Sequence, residues 1–127
     1  MRKFMAGLLI CGACGVCGAE DAPQQSGMER HRAFHAEAVK LNEAQCAEQK
    51  GEWAPPAEGK PAECMLPTTD AGKICRSNSQ CTVACVSKVD PRYSKNRYVV
   101  AECLRTSRWD GCFFYVEGGQ VVQAECN

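Results

Sequence analysis

Cys11, Cys14 and Cys17 follow one another at three-residue steps in "ICGACGVCGAED". Read alone, that spacing is one that holds iron–sulfur clusters and contains the C-x-x-C of dithiol redox sites. A second set is His31 and His35, one helical turn apart in "HRAFH", which with Cys81 and Cys85 nominally supplies four zinc ligands in H-x3-H and C-x3-C pairs. "HRAFH" also has the outline of the helical H-E-x-x-H protease motif, but Arg32 stands where the general-base glutamate is required. The third set is the run of cations and aromatics from Lys88 to Trp109: Arg92, Tyr93, Lys95, Arg97, Tyr98, Arg105, Arg108 and Trp109.

The surroundings of the first set change its meaning. Arg2 and Lys3 precede an apolar stretch, Phe4 to Val16, and Cys17-Gly18-Ala19 makes a small-residue exit before Glu20 and Asp21. This is the pattern of a secretory signal peptide over residues 1–19. The apolar run is shorter than the roughly 18 residues a spanning helix needs, and Gly7, Gly12 and Gly15 interrupt it. No membrane span is therefore expected. A lipid anchor on Cys11 or Cys14 fits poorly, because bulky Ile10 precedes Cys11 and Cys11 itself occupies the place of the expected leucine before Cys14.

Removal of such a leader takes three of the 11 cysteines with it and leaves Cys46, Cys64, Cys75, Cys81, Cys85, Cys103, Cys112 and Cys126. An even set in a short exported chain reads as a disulfide framework, not as zinc ligands or a reduced nucleophile. No metal or cofactor is expected. His31 and His35 are then expected to be exposed on a helix. Neither a G-x-S-x-G nor a phosphate-binding glycine loop occurs.

The elements that position these residues follow from the pattern. A leader over residues 20–27, rich in Pro, Gln and acid, has no apolar period and is expected to be disordered. Ser26 and Glu29 form a capping box, and Phe34, Ala38 and Leu41 recur at helical spacing, predicting one amphipathic helix from Met28 to Lys50, stopped by Gly51. Cys46 near its end is the expected covalent tie to a sheet. Glu52–Ala54 and Ala62–Leu66 flank a tip with Pro55, Pro56, Gly59 and Pro61 and read as paired extended arms, with Trp53 as the core residue. Pro67 to Val86 is turn-rich, and Asn96 to Arg105 reads as a strand. "CFFYVE", Gly118-Gly119 and "QVVQAEC" read as a two-residue hairpin. An unbroken register places Phe113, Tyr115, Val122, Ala124 and Cys126 on one face and Cys112 on the other, so Cys112 and Cys126 should not bridge unless a bulge intervenes. Among the possible pairings, local closures are favoured: Cys46 with Cys64 and Cys75 with Cys85.

The spacing Cys75-x5-Cys81-x3-Cys85, with Ser79-Gln80 before the second cysteine, resembles the first cysteine cluster of colipase-type secreted finger proteins. Those proteins have a fourth cysteine where this chain has Val86, so neither their fold nor their lipase-cofactor role is implied. More broadly, "ECMLPTTDAGKIC", the cysteine cluster and "GCFFYVEGGQVV" resemble small exported cysteine-rich proteins of Gram-negative bacteria without assigned activity. That resemblance implies a compartment and a scaffold.

The fold class that emerges is α+β: a small disulfide-rich domain over residues 28–127, one N-terminal amphipathic helix on short antiparallel strands, and a C-terminal hairpin. Charge divides along it. Residues 20–70 carry ten acids against five bases, whereas 71–127 carry eight bases against five acids. The leading functional reading is a monomeric, non-catalytic periplasmic or secreted binding module, of the inhibitor or immunity type, using Arg92, Tyr93, Lys95, Arg97, Arg105, Arg108 and Trp109. Arg, Tyr and Trp dominate protein–protein hot spots, and a long cysteine-closed loop is a common place for them. Its partner is then a protein or an anionic envelope component; export argues against nucleic acid. Two other readings stand beside it: a small cell-envelope hydrolase working through a carboxylate pair, and a purely structural envelope protein whose lysines only solvate a sheet edge.

Overall fold

A computed structural model describes residues 25–93, 98–108 and 110–126. Residues 1–19, read as a signal peptide, and most of the expected leader lie outside the described residues, as do Lys95, Arg97 and Trp109. Within them the chain is a small disulfide-rich α+β protein. Helix α1 (Gly27–Val39) is followed by α2 (Glu43–Glu48), and strands β1 (Glu52–Ala54) and β2 (Glu63–Met65) form a two-stranded antiparallel sheet. Strands β3 (Ile74–Cys75), β4 (Cys85–Ser87), β5 (Ala101–Cys103), β6 (Cys112–Glu117) and β7 (Gln120–Cys126) form an antiparallel sheet of order β3-β5-β4-β6-β7. Among the described residues no helix is long and apolar enough to cross a membrane.

The expected capping box starts α1. The Glu29 amide donates to Ser26 Oγ at 3.2 Å and the Ser26 amide donates to Glu29 Oε2 at 2.9 Å. The helix does not continue to Lys50, and the reason is a second capping box inside the expected span. Asn42 Oδ1 accepts from the Gln45 amide at 2.9 Å while Gln45 Oε1 accepts from the Asn42 amide at 3.0 Å. These bonds satisfy the orphan donors of a new helix start, so the chain restarts as α2. Cys46, fully buried on α2, is tied to Cys64 of β2. Gly51 sits against that bond: a Cβ there would lie 2.7 Å from both sulfurs.

The hairpin also departs from the simple register. Gly118 and Gly119 both take positive φ, 58° and 78°, as a two-residue turn whose twist matches the strands requires. Glu117 pairs with Gln120 and Val116 with Val121, but Tyr115 then pairs with Gln123, leaving Val122 as the extra residue of a bulge. The one-residue slip moves Ala124 and Cys126 to the face of Cys112 and Phe114, and sets Phe113 and Tyr115 beside Glu125 and Gln123. Cys112 and Cys126 become direct partners and are bonded to each other. Of the strand expected over Asn96–Arg105, Asn96 and Arg97 lie outside the described residues, and within residues 98–105 the strand is Ala101–Cys103, the Val99 amide donating to the Gly119 carbonyl at the hairpin turn instead of joining the ladder.

The pairing Ile74–Glu102–Val86–Tyr115 defines the front face of the main sheet, and Cys75, Ala101, Cys103, Cys85, Ser87 and Phe114 define its back. The remaining disulfides, Cys75–Cys85 and Cys81–Cys103, pack with Ala101 and Val116 into one core cluster at the back. In front, Ala84, Val86, Leu104, Phe113 and Tyr115 form a second cluster, covered in part by Met28 and Phe34 of α1. Phe34 also reaches the third, where Ala38, Cys46, Cys64 and Leu66 meet with Trp53 partly buried beside them. One helix thus joins the two sheets.

Gly51→Ala is expected to cost about 1–3 kcal/mol by overpacking. Gly51 is not one of the positive-φ glycines, so the cause is crowding of the Cys46–Cys64 bond and of the Met65 carbonyl beside it; equilibrium unfolding in denaturant that matches wild type would refute it.

Candidate functional site

The two histidines are not the exposed pair that their setting in "HRAFH" predicts. His31 is fully buried, with Nδ1 2.8 Å from the Tyr115 hydroxyl and its ring edge-on to Phe113 at 5.5 Å. Its ring also hydrogen-bonds the main chain at Ser107. His35, four residues on along the same helix face, is partly buried and places Nε2 2.9 Å from Glu63 Oε2 on β2. Between them Arg32 points outward and holds Glu125 of β7 through two guanidinium nitrogens, at 3.1 and 2.9 Å. What reads in the sequence as a defective protease motif is the seam between α1 and the two sheets.

Burial pushes the His31 imidazole down to about 4 from an ordinary 6.5, with the Ser107 hydrogen bond working against that fall and the charge of His35 adding to it. Burial likewise raises the Tyr115 hydroxyl above its ordinary range, reinforced by the charge of Glu125. Both groups are therefore neutral at pH 7, and neither is poised to exchange a proton there. The nominal zinc set is dispersed as well. The sulfurs of Cys75, Cys81 and Cys85 lie within 4.8 Å of one another, but as members of two adjacent disulfides, without thiolate to donate.

The basic aromatic residues separate into two groups. Arg92 and Tyr93 lie in the 3-10 turn Pro91–Tyr93, with Tyr93 82% exposed and Arg92 paired to its own neighbour Asp90 at 2.6 Å. Arg92 borders a separate concavity over Phe114, Val121 and Val122. Arg105 and Arg108 instead come together with Lys88 on the front of the sheet, around a groove of about 430 Å³. Its floor is a part of the front core, Val86, Leu104 and Phe113, all buried, with Phe113 shared with His31 of α1. Its sides carry Ile74, Val89 and Val100, which are 69%, 50% and 79% exposed.

The charges of the groove are not equivalent. Arg105 is exposed, rests against Gly72, and donates Nε and Nη2 to Glu102 at 2.8 and 3.1 Å. That pairing holds the Glu102 carboxyl below its usual range, the opposite of what a general acid at neutral pH needs. Arg108 is only 20% exposed and lies between Asp110, at 3.1 Å, and Glu63, at 3.7 Å. Lys88 is exposed and, among the described residues, has no ion pair. The groove thus has a buried apolar floor, two arginines held by carboxylates, and one ammonium group available to a ligand.

Sequence reading reached Arg105, Arg108 and Lys88 through their charge. It did not reach Ile74, Val86, Val89, Val100, Leu104 and Phe113 as one site. Val86 and Leu104 look like any strand residues beside a cysteine, and only the crossover order β3-β5-β4 sets them and Ile74 on one face.

Fold and site together describe a small disulfide-rich α+β domain with one partly covered sheet face. Comparison of the chain with family models, with curated proteins and with solved structures finds no match in any of the three.

His31 makes stability depend on pH in a defined direction. The unfolded ring takes a proton near pH 6.5, but the folded ring resists it down to about 4. The stability carried by the neutral ring is therefore complete above pH 6.5 and lost as pH falls through the interval to 4, by about 3 kcal/mol. Denaturant unfolding at pH 7 and pH 4 should show this loss, and His31→Gln should remove most of the slope. An unchanged slope in the variant would assign the acid sensitivity to other groups.

Proposed function

We propose that this chain is a non-catalytic binding module of an oxidising extracytoplasmic compartment, and that its ligand sits in the groove bounded by Ile74, Lys88, Val100 and Arg105. One observation carries the reading: three large apolar side chains with half or more of their surface exposed converge on one concavity floored by core residues. Scattered exposed apolar residues are ordinary; their convergence on a concave site with a few charged groups is the pattern of a ligand site. The volume of about 430 Å³ falls in the range of small-ligand pockets, roughly 300–1,000 Å³. Four disulfides support an oxidising compartment. Of the residues assigned a binding role from sequence, Arg105 and Arg108 border this groove together with Lys88, while Lys95, Arg97 and Trp109 lie outside the described residues. Arg92 turns its charge on Asp90 and contributes little.

Backbone-amide NMR with a library of small organic fragments tests the location without presuming the ligand. Shifts are expected to cluster at Ser87–Val89 and Val100–Thr106. Clustering over Phe114, Val121 and Val122, or no cluster, would remove the groove as the binding site.

A further inference from the structure

We infer that the groove takes a monomeric single-chain anionic amphiphile, an alkyl chain ending in a carboxylate, with the chain over Val86, Leu104 and Phe113 and the head at Lys88. The inference rests on the groove being the binding site and goes further by naming the ligand. The strands beneath the groove decide between an alkyl chain and a peptide. β4 is paired on one side with β5 and on the other with β6, and β5 lies between β3 and β4. The floor therefore presents side chains, and one free edge of the sheet, β3, lies to one side of it at Ile74. A peptide laid on that floor would bring amide N–H and C=O groups against Val86, Leu104 and Phe113 without partners, whereas an alkyl chain has no such groups to satisfy.

Charge decides the head. Arg105 and Arg108 line the groove with their carboxylate partners Glu102 and Asp110, and Lys88 lines it as a third cation. Arg105 is held by Glu102, and Arg108 by Asp110 and Glu63, whereas Lys88 has no ion pair among the described residues and only adds its charge to the field at Glu102. A guanidinium has five N–H donors, and Arg105 gives only Nε and one Nη2 donor to Glu102, leaving further donors for the same head. Ile74, Val89 and Val100 stand at the sides, where an inserted chain would cover them.

The test is calorimetric titration of the oxidised protein at pH 7 with decanoate below its micelle concentration, beside decanol, decyltrimethylammonium and vesicles containing an anionic phospholipid. Saturable binding of one decanoate per chain is expected, with decanol and the cation at least about tenfold weaker. Lys88→Glu and Ile74→Asp, both at exposed positions, should each weaken decanoate by about tenfold or more, while Arg92→Glu, outside the groove, should not. Near-UV circular dichroism checks that every variant keeps its tertiary structure. Equal binding of decanol and decanoate, equal weakening by Arg92→Glu, or binding to vesicles without saturable binding of monomer would each overturn the inference. Fragments that map to the groove while decanoate does not bind would refute the ligand and leave the site standing.

Discussion

Two adjacent disulfides, Cys75–Cys85 and Cys81–Cys103, hold the back of the main sheet where β3, β4 and β5 meet. These strands are two or three residues long, too short to be held by ladder bonds alone. Each bridge closes a loop of 10 or 22 residues, which restrains the unfolded chain by about 3 kcal/mol. Because covalent ties on one face hold these strands, the other face need not be fully buried. α1 covers the Tyr115 side of the front and stops short of β3 and β5. The groove is a consequence of that division of labour.

The helix itself is attached by polar contacts inside the apolar layer. His31 meets Tyr115 in the core, Arg32 reaches Glu125 on the far strand, and His35 reaches Glu63 on the small sheet. A second hub lies at the other end of the helix. Asn78 donates through Nδ2 to Glu117 at 2.6 Å, accepts from the Cys85 amide at 2.8 Å, and offers its carbonyl to Arg30 at 2.7 Å. Gly27 is packed so closely on Asn78 that a side chain there would collide with it. Directional bonds of this kind specify one placement for a helix whose apolar stripe would tolerate several.

Local signals were the legible ones. Ser26 with Glu29, the Gly118-Gly119 turn, and the Cys46–Cys64 and Cys75–Cys85 closures each involve groups close in sequence, so spacing marks the first two and favours the two bridges. The helix break at Lys40–Asn42 was also local, but an Asn/Gln capping box is easily hidden inside an apolar stripe that continues past it. The hairpin register was not legible, because a bulge at Val122 shifts every pairing between it and Cys126 and neither a glycine nor a proline marks its place. The burial of His31 was hidden for a similar reason: its hydrogen-bond partner Tyr115 is 84 residues away.

What the sequence by itself determined is the set of covalent and local preferences: eight cysteines from Cys46 onward, a capped helix start, a tight glycine turn, and cations gathered in the second half. Those depend on neighbours along the chain. Tertiary structure alone decided which apolar residues stay uncovered and which cation keeps its charge available. Both depend on strand order and on where the helix ends, and they turn Lys88 and Ile74, 14 positions apart in the chain, into two sides of one groove.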